Sequence, residues 1–299
     1  MRLICSVDDP YQQQEVAAFS KWILDIGEGK IPSVAKDGED EPSWITVPHE
    51  LLLPADDDKL AAIVQSVYPN FESRYKNPAY LSQRAILAPT NELTDTVNEY
   101  MVPLVPGTEK EYLSSDSIAK STAQHEAYDL LYPIEFLNSI SGNNFPQHRI
   151  VLKKGVPIML LRNLNQRAGL CNGTRLIVTS VREWTIEAMI MNGRHTNQTF
   201  AIPRITLSLK SNKYPFVLQR RQYPVRVCYA MTINKSQGQT LSTVGIYLKK
   251  PVFTHGQLYV AVSRVTTKQG LKIYIEDDEA MPTNETRNVV YREVLQHLS

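Results

Sequence analysis

The chain has 299 residues, of which 42% are hydrophobic and 21% are charged, a composition typical of globular proteins. No segment approaches the roughly 20 consecutive apolar residues that a membrane-spanning helix requires. Three cysteines, Cys5, Cys171 and Cys228, lie far apart without Cys-x-x-Cys spacing. This pattern argues against a disulfide framework and against a cysteine-based zinc site.

The formal net charge of +1 conceals a strong asymmetry along the chain. Residues 1–145 contain 10 Lys and Arg against 23 Asp and Glu, whereas residues 146–272 contain 20 against 2. Neutralisation of phosphates is the main sequence-independent source of nucleic-acid affinity, so the basic block favours a polyanionic partner. The alternative is that these bases pair with the acidic N-terminal region.

The N-terminal part of the chain has the pattern of α/β structure. Apolar residues at helical spacing predict an amphipathic helix over Gln12–Ile26 and a short helix near Lys59–Val67. Arg84–Ala88 is a predicted buried strand, followed by a turn at Pro89-Thr90-Asn91 and a helix over Glu92–Leu104. Such a strand–turn–helix unit is typical of α/β layers.

From about residue 146 the pattern changes to short strands separated by turn residues. The predicted strands are Arg149–Leu152, Pro157–Leu161, Thr174–Val181, Thr185–Met191 and Gln198–Ile202. Asn192-Gly193, between the last two strands, predicts a tight hairpin turn in which both residues have positive φ. This succession of short strands indicates a small β-barrel.

After Pro224 the pattern returns to α/β. The predicted elements are a strand at Val225–Tyr229, a helix opening at Lys235–Leu241, a strand at Val244–Leu248, a helix at Gly256–Val262 and a strand at Leu271–Ile275. The sequence thus predicts one α/β domain, formed by residues 1–145 and 224–299. A small β-barrel at 146–223 interrupts it.

Two segments have the residue types of a phosphate-binding site. Ala230–Leu241 places hydroxyls, amides, Lys235 and Gly238 in a predicted strand-to-helix turn, which suits phosphate binding. Its alternative interpretation is a capped helix with a polar surface. Gly256–Val265 carries Arg264 on an apolar helical run, where an arginine is costly to bury unless an anion meets it. Its alternative is an arginine that favours the dipole of the helix C-terminus.

These two segments, with Arg84–Asn91 and Leu170–Arg175, closely resemble the Pif1 family of DNA helicases. The resemblance covers almost the whole chain in the same order, and Arg220–Pro224 and Tyr112–Ser117 bring it nearest to the Helitron and plant branch. It implies an α/β fold: a second RecA-like motor domain, of the P-loop NTPase type, interrupted by a small Src-homology-three-like β-barrel. It also implies a nuclear or mitochondrial motor that uses ATP to move 5′ to 3′ along single-stranded DNA, in repair, recombination or transposition.

The resemblance assigns roles residue by residue. Arg264 matches an arginine that reaches the γ-phosphate, and Arg2 matches a second arginine finger. Such fingers stabilise the charge that develops in phosphoryl transfer. Gln237 and Gly238 match positions that face the nucleotide. The positions that match the DNA-facing side are Thr90, Asn91, Thr232, Asn234 and Lys235, of which Asn234 departs from the His common in other branches.

The family's first motor domain carries the phosphate-binding string Gly-x-x-x-x-Gly-Lys-Ser/Thr, and this sequence contains no such string. Gly29-Lys30 is followed by Ile31, and Lys235-Ser236 lacks the upstream pair of glycines. We therefore expect ATP and Mg²⁺ to be held largely by an N-terminal RecA-like domain outside this chain. On this interpretation the chain is a fragment, a truncated gene model or a degenerate transposon remnant, and it is inactive alone.

Several alternatives remain open from the sequence. The chain could be a single-stranded nucleic-acid-binding module without catalysis, or a transposon remnant that still folds. Ile273–Asp278 imitates a magnesium-binding strand end, but an acidic loop is the simpler interpretation and no metal site is predicted. Trp184, in the basic region, is a candidate for stacking on a base.

Overall fold

The computed structural model describes residues 10–36, 38, 41–54, 58–120, 128, 130–276, 283–291 and 293. They divide into two compact units. The first unit comprises Met1–Phe71, Ser82–Tyr100 and Tyr229–Ser299, and the second comprises Glu72–Leu81 and Met101–Cys228. No helix in the described ranges is long and apolar enough to cross a membrane.

The helices are α1 (Pro10–Gly27), α2 (Lys59–Val67), α3 (Phe71–Arg74), α4 (Pro78–Ser82), α5 (Asn91–Leu104), α6 (Ile134–Ser139) and α7 (Gln257–Val262). Single 3-10 turns occur at His49–Leu51, Gln166–Ala168, Ile233–Ser236 and Lys268–Gly270. The strands are β1 (Ser33–Val34), β2 (Trp44–Thr46), β3 (Arg84–Ala88), β4 (Lys110–Leu113), β5 (Ser115–Ile118), β6 (Arg149–Leu152), β7 (Pro157–Leu160), β8 (Arg175–Val181), β9 (Ile186–Ile190), β10 (Thr199–Ile202), β11 (Ile205–Lys210), β12 (Val217–Gln222), β13 (Val225–Val227), β14 (Ala230–Thr232), β15 (Thr243–Leu248), β16 (Leu271–Ile275) and β17 (Glu285–Arg287).

The first unit is built on a parallel sheet with the strand order β14-β3-β15-β16. Strand β3 is apolar and buried from its second residue onward, as expected for a parallel strand covered on both faces. Helix α2 lies against β15 so closely that a Cβ on Gly245 would be 2.5 Å from Cγ2 of Val67. A small antiparallel sheet, β1-β2-β17, completes the described strands of this unit.

The second unit consists mainly of antiparallel strands. Its sheets have the orders β10-β9-β8-β7-β13, β11-β12-β5 and β4-β6. One apolar core lies between α6 and the three-stranded sheet, and it is formed by Ile118, Leu137, Ile140, Phe145, Leu207, Phe216 and Leu218. Strand β7, which is fully buried, occupies an inner position of the five-stranded sheet.

The second unit is wider than the predicted insertion at residues 146–223. It also includes Glu72–Leu81, and its main segment extends back to Met101 within α5, because β4 pairs with β6 and β5 pairs with β12. The predicted strand Val225–Tyr229 ends early, at Val227, and a second strand begins after it, at Ala230. Val225–Val227 pairs antiparallel with β7 in the second unit, whereas Ala230–Thr232 pairs parallel with β3 in the first.

The predicted tight turn at Asn192-Gly193 is wrong in its detail. Strands β9 and β10 do form an antiparallel hairpin, but their connection runs from 191 to 198. Gly193 and Asn197 have positive φ in this loop, at 94° and 68°. The loop closes through bonds from the amide of Asn197 to the carbonyl of Ile190 and from the amide of Thr196 to the carbonyl of Gly193.

Candidate functional site

The Ala230–Leu241 segment forms a strand followed by a single 3-10 turn, so the predicted helix at Lys235–Leu241 is wrong. The turn covers Ile233–Ser236, and the Ser236 hydroxyl donates to the Ile233 carbonyl at 2.6 Å. Gly238 then adopts a φ of +81°, which takes the backbone out of a right-handed helix. The segment therefore has no regular helix N-terminus. Its exposed residues are Asn234, Gln237, Gly238 and Thr240.

Arg264 lies two residues after the end of α7 and contacts this turn. Its Nη1 donates to the carbonyls of Gln239 at 3.2 Å and Ser236 at 3.4 Å. Its Nε donates to the carbonyl of Val260 at 2.8 Å, so the guanidinium also satisfies the C-terminus of α7, as the alternative interpretation suggested. The structure thus brings Arg264 into contact with Ser236 and Gln239, the two residues that flank Gln237 and Gly238.

The environment of Arg264 is half-buried. Burial lowers the pKa of its guanidinium below the ordinary value. Nη2 donates to the Ser263 hydroxyl at 2.7 Å, so four of the five N–H groups of Arg264 have partners in its own unit. The main chain reinforces the contact, since the Leu241 amide donates to the Arg264 carbonyl at 2.9 Å.

The predicted DNA-facing residues lie at the carboxyl ends of two neighbouring strands. Ala88 and Thr232 are partners in the parallel register of β3 and β14. The residues that follow these strands, Thr90 and Asn91 on one side and Asn234 and Lys235 on the other, therefore lie at the same edge of the sheet. In open α/β sheets this edge is where ligands bind.

Thr90 also has a structural role at the start of α5. Its hydroxyl oxygen accepts from the amide of Leu93 at 3.4 Å, and its carbonyl accepts from the amide of Thr94 at 3.3 Å. This is the geometry of a helix N-cap. Thr90 and Asn91 are half-buried, as are Thr232 and Lys235.

Asn98, on α5, is a residue of this region that sequence reasoning missed. Its side chain is buried, with 4% exposure, and its Oδ1 accepts from the amides of Tyr229 at 2.9 Å and Ala230 at 2.8 Å. Its Nδ2 donates to the carbonyl of Ala230 at 3.1 Å. The signal in the sequence is a polar residue next to Val97 on the predicted helix. That signal becomes interpretable only once β14 is known to lie beside it.

Two candidates from the sequence lie wholly or partly outside the described residues. Arg2 and the acids Asp277 and Asp278 lie outside the described residues. Glu276 follows β16 with a buried side chain, and its Oε1 lies 3.4 Å from Nζ of Lys59, which explains the carboxylate as part of an ion pair. Within the described ranges no group of three or more His, Cys, Asp or Glu residues could hold a metal ion.

Some basic residues of the block at 146–272 are buried inside the second unit. Arg175, Arg220 and Lys153 are buried, and their donors meet main-chain carbonyls or a carboxylate. Some of the predicted pairing with the acidic N-terminal region does occur, because Arg220 pairs with Asp116. Within residues 146–228, the exposed bases are Arg149, Lys154, Arg167, Arg182, Arg194, Lys210, Lys213 and Arg221. Trp184, at 76% exposure, lies on the connection between β8 and β9.

Comparison with known proteins supports the resemblance. Residues 135–181, in the second unit, match the family model described as DNA helicase Pif1, 2B domain. The chain is 33% identical over 146 residues to the ATP-dependent DNA helicase PIF1 of Xenopus laevis, covering 46% of this chain and 21% of that relative. The chain thus spans about a fifth of the length of this curated relative.

Solved structures give the same result for the fold. The crystal structure of Pif1 helicase from Candida albicans matches with a TM-score of 0.56 at 18% identity, over 96% of this chain and 58% of that chain. Pif1 helicase from Bacteroides in complex with ADP-AlF3 and ssDNA matches with a TM-score of 0.51 at 19% identity, over 82% and 49%. Residues 135–181 are therefore similar in sequence to the 2B domain of the Pif1 helicases, and the chain shares the mixed α/β fold of the solved Pif1 structures.

Proposed function

We propose that this chain is the C-terminal motor and DNA-gripping half of an ATP-dependent 5′-to-3′ DNA helicase. The observation that carries the proposal is the contact of Arg264 with the Ser236–Gln239 turn. This turn follows directly on the DNA-facing candidates Thr232 to Lys235. Residues proposed for the nucleotide and residues proposed for DNA therefore share one segment, so a change at one can be transmitted to the other.

On the DNA side, hydroxyls, amides and one lysine lie at one edge of the parallel sheet. Such groups bind phosphates without reading bases, which suits a motor that moves along any sequence. Thr90, Thr232 and Lys235 are the proposed contacts, with Asn91 and Asn234 beside them. The Bacteroides Pif1 structure that shares this fold contains single-stranded DNA.

On the nucleotide side, the described residues provide part of a site for ATP. Arg264 supplies a guanidinium, and the space around Gly238 is open, with nothing within 4 Å of a Cβ placed there. Bound ATP would supply the phosphoryl group whose transfer drives the motor. The part of Arg264 is to stabilise negative charge on that group, and to do so it must exchange bonds to its own carbonyls for the phosphate.

The rest of the nucleotide site belongs, in this proposal, to a first RecA-like domain that carries the Gly-Lys-Ser/Thr loop and holds Mg²⁺. The chain alone is then inactive as an ATPase. The proposal also includes membership of the Helitron and plant branch and an SH3-like β-barrel in the second unit. It further includes a nuclear or mitochondrial location. A role in repair, recombination or transposition belongs to the same proposal.

A second candidate is a single-stranded nucleic-acid-binding module without catalysis. One observation favours it: the donors of Arg264 are largely used by its own unit. In this case Arg264 stabilises the turn and has no nucleotide to meet.

The test is binding of the 299-residue chain to a fluorescent single-stranded oligonucleotide across a salt series, with ATP hydrolysis assayed on the same sample. Salt-sensitive binding without hydrolysis is the expected result. Absence of binding at low salt would contradict the DNA grip. DNA-stimulated hydrolysis that survives Arg264→Ala would contradict both the role of Arg264 and the need for a second motor domain. The two candidates are separated by adding a first motor domain, since only the helicase half would then gain an ATPase that depends on Arg264.

A further inference from the structure

Strand β14 carries the proposed DNA contacts, yet it is the terminal strand in the order of its sheet within the described residues. On one side it pairs with β3, and the amide of Ile86 donates to the carbonyl of Tyr229 at 3.1 Å. On the other side no strand pairs with it in the part of the chain that the structure describes. A buried main-chain amide or carbonyl without a partner would destabilise the fold.

The side chain of Asn98 takes the place of that missing strand. A primary amide has one oxygen acceptor and two N–H donors, and here the oxygen accepts from two amides while the nitrogen donates to a carbonyl. Only this orientation of the side-chain amide satisfies all three main-chain groups. In the flipped orientation the Nδ2 hydrogens would face the main-chain amides of Tyr229 and Ala230. Both main-chain polar groups of Ala230 thus depend on one side chain.

The same helix carries the other DNA-facing segment. Asn98 lies seven residues after Asn91 on α5, which places both on the same side of the helix, two turns apart. Thr94, between them, is also buried. Asn98 therefore fixes the distance between the N-terminus of α5, with Thr90 and Asn91, and the strand that leads to Asn234 and Lys235.

We infer that Asn98 is a positioning residue for single-stranded DNA: it holds the two DNA-facing segments of the first unit in one fixed spacing. This inference rests on the proposed function. Asn98 itself is buried and does not touch DNA. Its removal frees β14 from α5, so the two segments no longer present their phosphate-binding groups in register along a strand.

The experiment compares four forms of the 299-residue chain: the wild type, Asn98→Leu, Asn98→Asp and Val97→Ala. Asn98→Leu keeps the size of the side chain and removes all three bonds. Asn98→Asp keeps an oxygen that accepts from both amides. Val97→Ala is the matched control, because Val97 is the adjacent fully buried residue of α5 and its truncation destabilises the helix without touching the bridge to β14.

Two quantities are measured: the Kd for a fluorescent single-stranded oligonucleotide and the hydrogen exchange of the peptide that contains Tyr229 and Ala230. Asn98→Leu is expected to raise the Kd about tenfold and to speed exchange at these two amides. Asn98→Asp is expected to stay within about threefold of the wild-type Kd, and Val97→Ala within about twofold. If Asn98→Leu does not fold, Asn98→Ala, which adds no bulk, replaces it.

Each other outcome overturns the inference in a distinct way. Wild-type affinity in Asn98→Leu would show that the bridge does not position the DNA contacts, and the proposed function would stand. Equal weakening by Asn98→Leu and Val97→Ala would reduce the role of Asn98 to stability. Absence of DNA binding by the wild type would overturn the proposed function, and with it the role of Asn98 in DNA binding. The exchange rates would then show separately whether Asn98 holds β14.

Discussion

Arg220 and Asp116 form a completely buried ion pair in the second unit, with Nη2 2.6 Å from Oδ2 and neither side chain exposed. The Nε of Arg220 lies 2.9 and 3.0 Å from the two carboxylate oxygens. Its remaining N–H groups donate to the carbonyls of Leu137, Ile140 and Pro146 at 2.9–3.1 Å. The pair thus ties strands β5 and β12 to the segment around α6.

Loss of either partner of this pair is expected to destabilise the protein strongly. Arg220→Ala leaves a buried carboxylate and several carbonyls without a donor, and a loss of about 3–5 kcal/mol in the free energy of unfolding follows. Arg220→Lys is not expected to restore stability, since an ammonium cannot reproduce the planar set of donors. Urea unfolding followed by fluorescence measures both changes.

The matched control for Arg220 is Arg182→Ala in the same unit. Arg182 pairs with Glu187 at 3.0 Å, but its side chain is 64% exposed. Exposed pairs are screened by water and contribute at most about 1 kcal/mol. A loss in Arg220→Ala no larger than that in Arg182→Ala would contradict the structural role given to the buried pair.

Arg264→Ala is expected to abolish most ATP hydrolysis in a protein that joins this chain to a first motor domain. An arginine that stabilises the transferred phosphoryl group contributes about 10³-fold or more to kcat. Binding of single-stranded DNA should change by no more than about twofold, because Arg264 is not among the DNA-facing residues. The control is Lys268→Ala, four residues further on, where the ammonium pairs with Glu50 at 2.6 Å and hydrolysis should be retained. Equal rates of ATP hydrolysis in Arg264→Ala and the wild type would show that Arg264 is not an arginine finger.

Lys235→Ala is expected to weaken binding of single-stranded DNA and to lower its dependence on salt. Each neutralised phosphate adds about 0.7 to the slope of log K against log salt for single strands, so loss of one contact should reduce the slope by about that amount. Lys21→Ala is the control, because Lys21 is an exposed lysine of α1 in the same unit. An unchanged slope in Lys235→Ala would remove this residue from the DNA contact.

Because α2 lies so close to β15, we expect a substitution in α2 to compensate in part for a substitution in β15. A Cβ at Gly245 would lie 2.5 Å from Cγ2 of Val67 and 3.1 Å from Cγ1 of Ile63, so Gly245→Ala is expected to cost about 1–3 kcal/mol in stability. Val67→Ala alone opens a small cavity and also destabilises. In the double variant the new methyl occupies that cavity, and the loss should be smaller than the sum of the two single losses. Additive losses in thermal or urea unfolding would show that the contact is not the cause.

The stability of the first unit is expected to fall at alkaline pH through Tyr274. Burial, aided by the charge of Glu276, raises the pKa of this phenol to about 12 from its ordinary value near 10. The folded state therefore holds the proton more tightly than the unfolded state. The resulting stability is present below pH 10 and is lost between about pH 10 and 12.

Tyr274→Phe tests this dependence. Among the described residues the Tyr274 hydroxyl has no hydrogen-bond partner, so removing it should change stability little at pH 8. Between pH 10 and 11 the variant should lose less of its free energy of unfolding than the wild type. An equally steep loss in the variant would assign the alkaline transition to other groups.

Local patterns in the sequence were sufficient for the elements that have a strong periodicity of their own. The strands Arg84–Ala88 and Leu271–Ile275 and the helix Lys59–Val67 have the predicted bounds. Their apolar residues recur at the period of one structure and are bounded by turn residues, so the prediction needs no knowledge of neighbours. The order of the motifs likewise indicated the family from the sequence alone.

Where a segment's structure depends on its partners, the sequence was not sufficient. Val225–Tyr229 has the pattern of one strand, yet the strand that pairs with β7 ends at Val227, and a new strand that pairs with β3 begins at Ala230. The helix predicted at Lys235–Leu241 is replaced by one 3-10 turn, because Ser236 bonds back to Ile233 and Gly238 leaves the helical region. Neither break is visible in the hydrophobic pattern.

The sequence by itself determined the core strands Arg84–Ala88 and Leu271–Ile275, the short strands between residues 149 and 202 and the positions of Arg264 and Lys235 within their motifs. Only the tertiary structure decided which polar groups are buried together. Asn98 meets Ala230 across 132 residues of chain, and Arg220 meets Asp116 across 104. A local pattern records whether a residue is polar, but the need of a buried polar group for a partner is satisfied in space, by whatever the fold brings beside it.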